Sequence, residues 1–121
     1  MIEKINEFYR MEFYDSYVII EGNEGIVVNS AIAEKTLKTI IDHFKGKHFI
    51  LISNRISNYT LRTDAYSPNI LKKVKGIAVV SKNEEVRQRA LLEQEKFDSS
   101  FAFFENLSDA KEWAENFFVS Y

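Results

Sequence analysis

Apolar and polar positions alternate over Tyr9-Arg10-Met11-Glu12-Phe13, the period of a strand with one buried face. After Asp15-Ser16 the run Tyr17-Val18-Ile19-Ile20 is apolar throughout, as in a strand covered on both faces. A two-residue break between such runs predicts an antiparallel hairpin of strands 8–14 and 17–21, although Asp-Ser signals a turn less strongly than Asp-Gly. Gly22-Asn23-Glu24-Gly25 supplies the next turn. The period then becomes helical. Ala33, Leu37, Ile40, Ile41 and Phe44 form one stripe, with Asn29 or Ser30 as its cap and Gly46 placed to end it in a left-handed conformation.

His48-Phe49-Ile50-Leu51-Ile52 reads as another buried strand, the polar stretch 53–63 as a loop, and the segment from Pro68 to Val74 as a short helix. Gly76-Ile77-Ala78-Val79-Val80 has the small and β-branched residues of a strand. Asn83 can cap a charged helix running to about Phe97, with Val86, Ala90 and Phe97 inward. Phe101-Ala102-Phe103-Phe104 is a short strand, and Ser108 is placed to cap a last helix that turns Ala110, Trp113, Ala114, Phe117 and Phe118 inward. A hairpin followed by alternating helices and strands predicts an α/β fold. Its mixed sheet has about five strands, the central ones parallel and joined by right-handed crossovers.

The length of 121 residues fits a single domain over 1–121, and 45% hydrophobic residues supply a core. A formal net charge of −2 gives no long-range attraction to DNA, RNA or anionic lipid, so nucleic acid is not an expected partner. No cysteine is present, which excludes a disulfide scaffold and Cys-ligated zinc. The start Met1-Ile2-Glu3-Lys4 lacks the apolar region of a signal peptide, and no apolar run reaches the roughly 18–20 residues of a membrane span. These features predict a cytoplasmic protein without an integral membrane segment.

Several stretches recur together here: the hairpin, the turn Asn23-Glu24-Gly25, Ile52-Ser53-Asn54-Arg55 after a buried strand, and Gly76-Ile77-Ala78-Val79-Val80. The ending Phe104-Glu105-Asn106-Leu107-Ser108-Asp109-Ala110-Lys111-Glu112-Trp113 belongs with them. The combination resembles the small bacterial STAS/SEC14-like proteins, whose fold is that of the SpoIIAA anti-sigma-factor antagonists. The resemblance implies that fold over nearly the whole chain. It also implies a non-enzymatic switch in which a kinase phosphorylates the serine of an Asp-Ser-x-Gly stretch at a helix start. The sequence departs from that motif. The corresponding region holds Ser57-Asn58-Tyr59-Thr60-Leu61 and Ala65-Tyr66-Ser67-Pro68, while Asp15-Ser16 lies in the hairpin, so the phospho-switch does not carry over.

In an open parallel sheet, ligands gather beyond the carboxyl ends of the strands. The loops expected there supply Asn23 and Glu24, then Ser53, Asn54 and Arg55, then Ser81 and Lys82, with Tyr59 able to close over them. A carboxylate, a guanidinium, an amide and helix N-termini suit a small polar or anionic ligand. The structural alternative, which carries more weight, is that Arg55 pairs with Glu24 and Asn54 ties down its own loop. His43 and His48 lack the further ligands of a metal site, and His43 is expected to meet the helix's last carbonyls. Lys72, Lys73 and Lys75 read as a solvated helix end, and Glu84, Glu85, Arg87, Arg89, Glu93, Glu95 and Lys96 as an outer helix face. Phe8, Tyr9, Phe13, Tyr14, Phe97 and Tyr121 exceed what a small core requires; they are expected to fill the layer between sheet and helices, the alternative being a partner surface or apolar pocket.

The sequence has no Gly-x-Ser-x-Gly elbow, phosphate-cradling glycine loop or carboxylate pair forced together by spacing. It predicts no cofactor and no catalytic residue. The leading expectation is a non-catalytic regulatory module of STAS type docking on a protein partner. The alternative is a carrier or receptor of SEC14-like type for a small apolar or anionic ligand.

Overall fold

The computed structural model describes residues 1–56, 60–61, 70–95, 97 and 100–119, with backbone alone at 60–61 and 70–71. The strands in chain order are β1 (Ile2–Ile5), β2 (Tyr9–Phe13), β3 (Tyr17–Gly22), β4 (Val27–Val28), β5 (Phe49–Asn54), β6 (Thr60–Leu61), β7 (Val74–Val80) and β8 (Ser100–Phe104). The helices are α1 (Ser30–His43), α2 (Glu84–Gln94) and α3 (Leu107–Asn116), and a 3-10 turn at Ile70–Lys73 leads into β7.

Six strands form one mixed sheet in the order β1-β2-β3-β5-β7-β8. The expected hairpin is present: β2 and β3 are antiparallel, with Phe13 opposite Val18. β3, β5, β7 and β8 are mutually parallel, as intervening helices require. Strand alternation sends two sets of side chains to two layers. Met11, Phe13, Val18, Ile20, Leu51, Ile77 and Val79 pack with Leu37 and Ile40 of α1, with Phe44 at its C-cap and with Ala90 of α2. Tyr17, Ile19, Ile50, Ile52, Ala78 and Val80 pack with Ala110 and Ala114 of α3.

The sheet has one strand more than expected. All four residues of β1 are exposed, so its sequence carries no burial period to read. It is held by its register with β2, Ile2 opposite Phe13, and by the Lys4 ammonium 5.3 Å from the Phe13 ring centre. The stretch read as a loop after residue 53 also differs. β5 continues through Asn54, and Thr60–Leu61 pairs in parallel with Val27–Val28 as a separate two-stranded ladder. Pro68 and Tyr121 lie outside the described residues.

The caps follow local hydrogen bonding. Asn29 accepts the Ile32 N–H at 3.0 Å, and Gly46 is left-handed at φ 81°. Asn106, rather than Ser108, caps α3, because its Oδ1 accepts both the Asp109 N–H at 3.0 Å and the Ser108 hydroxyl at 2.9 Å. α3 therefore starts two residues earlier than Ser108 would set it, and ends at Asn116, leaving Phe118 beyond the helix and 43% exposed. Trp113 is half-buried, not largely buried as its stripe suggested; it lies edge-on to Phe117 and tilted against Phe104 at the rim of the α3 layer.

Candidate functional site at the carboxyl edge of the sheet

The carboxyl ends of β3, β5, β7 and β8 lie along one edge, with the start of α2 following β7 there. Alternation along β5 splits the run Ser53-Asn54-Arg55 between two layers. Ser53 lies opposite Ile20 and points to the α1–α2 side; Asn54 points to the α3 side. Arg55 returns to the first side, and its backbone N–H extends the ladder to the Val80 carbonyl at 2.9 Å.

On that side Arg55 meets α2. Its Nη1 and Nη2 donate to the two carboxylate oxygens of Glu93, each at 2.6 Å, and its Nε donates to the Ser53 hydroxyl at 2.9 Å. The side chains of Arg55 and Glu93 are 7% and 4% exposed. The pair is thus a bidentate fork inside the protein, short as charge-assisted bonds are. The expected partner, Glu24, instead occupies the exposed turn after β3, and the carboxylate closing on Arg55 comes from the helix packed over its strand.

The other residues of the edge are held apart. Asn54 donates to Glu21 at 2.9 Å on the opposite side of the sheet. Asn23 donates to the backbone carbonyls of Glu7 at 2.7 Å and Asn6 at 3.2 Å, tying the end of β3 to the β1–β2 turn. The Ser81 hydroxyl accepts the Asn83 N–H, and Asn83 caps α2 by accepting the Glu85 N–H at 2.8 Å. Lys82 is exposed, and Tyr59 lies outside the described residues. A small cleft of about 30 Å³ lies between Ser81, Arg87, Phe103 and Glu105, room for about one water molecule.

Glu93 is the residue that a charge-based reading assigns to the outer face and the structure places inside. Its position carried a signal. Val86, Ala90, Glu93 and Phe97 follow one another at helical spacing, so a carboxylate on that inward line requires a buried cation.

At the opposite end of the sheet a wider depression of about 440 Å³ is lined by Met1, Ile2, Tyr14, Tyr17, His43 and Glu115, among others. Tyr14 and Tyr17 stack at 4.6 Å, and the Tyr17 hydroxyl donates to Glu115 at 2.8 Å. Burial and that hydrogen bond raise the Tyr17 phenol above its ordinary range. His43 packs its ring 4.0 Å from that of Phe13; desolvation and the neighbouring Lys4 and Lys45 lower its pKa. Among the described residues no cluster of three His, Asp or Glu side chains suits a metal ion, and no helix is long and apolar enough to cross a membrane.

No family model matches the chain, and no curated protein matches it. Among solved structures, it is similar to an uncharacterized protein of the DUF3478 family from Shewanella loihica PV-4, which has a SpoIIAA-like fold. The TM-score is 0.61 with 15% sequence identity, and the match covers 92% of this chain and 98% of that one. At that identity the likeness speaks for architecture: the fold of this chain is SpoIIAA-like.

Proposed function

We propose that the protein is a non-catalytic interaction module that docks on a protein partner through the carboxyl edge of its sheet. The observation that carries this reading is the internal use of the edge's strongest charge. Arg55 directs Nε, Nη1 and Nη2 to Ser53 and Glu93, so an anionic ligand would have to displace a buried bidentate carboxylate. The same pair is flanked in the chain by exposed aliphatic side chains: Ile56, 71% exposed, follows Arg55, and Leu92, 49% exposed, precedes Glu93. A rigid polar anchor beside exposed aliphatics has the anatomy of a contact surface. Asn23, Glu24, Ser53, Asn54 and Arg55 then belong to the platform that shapes this surface, in a protein acting in the cytoplasm.

The test is affinity capture from the source organism with wild-type protein and an Ile56→Asp/Leu92→Asp variant. A partner held by the wild type and lost by the variant, at equal melting temperature, supports docking at this edge. Equal capture by both sinks it. The second reading, a carrier for a small apolar ligand, draws on the aromatic-lined depression at the other end of the sheet. Native mass spectrometry of the purified protein separates the two, since a carrier retains bound lipid or metabolite.

A further inference from the structure

We infer that β8 is a self-pairing edge, through which two copies of the chain join their sheets about a two-fold axis centred on Ala102. β8 closes one end of the sheet and bonds only β7 among the described residues. The Phe104 carbonyl accepts the Ser81 N–H at 3.0 Å, so Phe104 faces β7 with its backbone groups. By alternation Ala102 and Ser100 do the same, while Phe101 and Phe103 turn their N–H and C=O groups outward. An open strand of sequence Ser-Phe-Ala-Phe-Phe, with neither charge nor proline, lacks the usual devices against edge pairing.

Symmetry limits the occupant. An antiparallel mate related by a two-fold axis keeps each face of the sheet on its own side, so opposed residues must share strand parity. Centred on Ala102, the register sets Phe101 opposite Phe103 of the second copy, Phe103 opposite its Phe101, and Ser100 opposite its Phe104. Both outward-facing residues then gain hydrogen-bonded partners, and both pairs are aromatic. The rings of Phe97, Phe101 and Phe103, already neighbours at 6.2 and 5.4 Å, continue across the seam. The Arg87 guanidinium lies 5.5 Å from the Phe103 ring, which turns that side of α2 towards β8; Leu91, one turn on and 40% exposed, adds apolar surface above the seam.

The opposite edge fails the same test. Every two-fold register that pairs three or more of Ile2-Glu3-Lys4-Ile5 centres on Glu3 or Lys4, and so opposes like charges. One edge therefore admits a second copy of this chain and the other repels it.

The chain has no cysteine, so Ala102→Cys places a single thiol on the axis. Ala102 and its mate form a non-hydrogen-bonded pair with Cα atoms about 4.5 Å apart, within disulfide reach. Wild-type protein is expected to sediment as a dimer at roughly 100 µM, and Ala102→Cys to cross-link under mild oxidation at least about tenfold faster than Lys4→Cys on the other edge. Ala102→Lys and Ala102→Asp should each be monomeric and form a mixed dimer when combined. Wild-type protein that stays monomeric, or Ala102→Cys oxidising no faster than Lys4→Cys, overturns the inference. Should either charged variant unfold by circular dichroism, the cysteine comparison decides alone.

Discussion

Arg55 and Glu93 stand 38 positions apart in sequence and meet through two 2.6 Å hydrogen bonds in the interior. The relationship fixes α2 to the sheet, because that helix buries little else: Ala90 and Glu93 are its buried residues. Removing one partner strands the other charge, so Arg55→Ala and Glu93→Ala should each cost about 3–5 kcal/mol. Arg55→Met combined with Glu93→Leu should recover most of that loss, since matched apolar replacements of buried pairs are often neutral. Urea titration of the four proteins checks both statements; equal losses in the single and double variants would falsify the buried-pair account.

The parts of the fold that were legible are those where burial leaves a mark on the sequence. β2 alternates and the stripe of α1 repeats against one covered face, β3, β5 and β7 are near-continuous apolar runs covered on both faces, and the structure returns the strands with their pairing. β1 was silent because a strand exposed on both faces has no period. At the candidate edge, the position of the loops was legible and the pairing of their side chains was not. Loops at the carboxyl edge follow from topology, whereas the choice of Glu93 over Glu24 depends on how a helix packs across the strand ends. Local spacing cannot rank two carboxylates that far apart in the chain.

Gly76 lies beneath α3, and its neighbours set a second prediction. A Cβ there would come within 2.9 Å of Ile50 Cδ1 and 3.0 Å of Trp113 Cη2. Gly76→Ala should therefore cost about 1–2 kcal/mol, the lower part of the overpacking range, because both atoms end side chains that can shift. Trp113→Phe removes Cη2, the second of those two close atoms, so the double variant should lose less than the two single losses added together. Strict additivity in denaturant titrations would disconnect the two residues. Trp113→Ala alone should cost about 2 kcal/mol, below the range for a fully buried aromatic, in keeping with its half-buried rim position.

Asn23, one of the candidate site residues, also ties the end of β3 to the β1–β2 turn. Its amide holds the carbonyls of Glu7 and Asn6, while Asn6 in turn accepts the N–H groups of Phe8 and Tyr9. Asn23→Ala should lower stability by about 1 kcal/mol, the usual net value of such hydrogen bonds. The more specific expectation is local: amide exchange in Ile2–Ile5 should quicken while β5 and β7 stay protected. Uniform acceleration along the sheet would show instead that the contact supports the whole fold.

Tyr17 provides the pH test. It is 3% exposed, its hydroxyl donates to Glu115, and ionisation would place a buried phenolate beside that carboxylate. Burial first, and then Glu115, hold its pKa above the ordinary value. The folded chain thus keeps a proton that the unfolded chain releases near pH 10. The stabilisation from this proton is complete below about pH 10 and is lost as pH rises above it, by up to about 1.4 kcal/mol per unit. Tyr17→Phe cannot ionise and lacks the hydrogen bond, so it should be about 1–2 kcal/mol less stable than wild type at pH 7. Above pH 10 the wild type declines more steeply and the gap closes, narrowing by about 1 kcal/mol by pH 11. Urea titrations of both proteins at pH 7, 9, 10 and 11 measure it. A gap that stays constant through pH 11 would mean that Tyr17 ionises in the folded protein as readily as in the unfolded one.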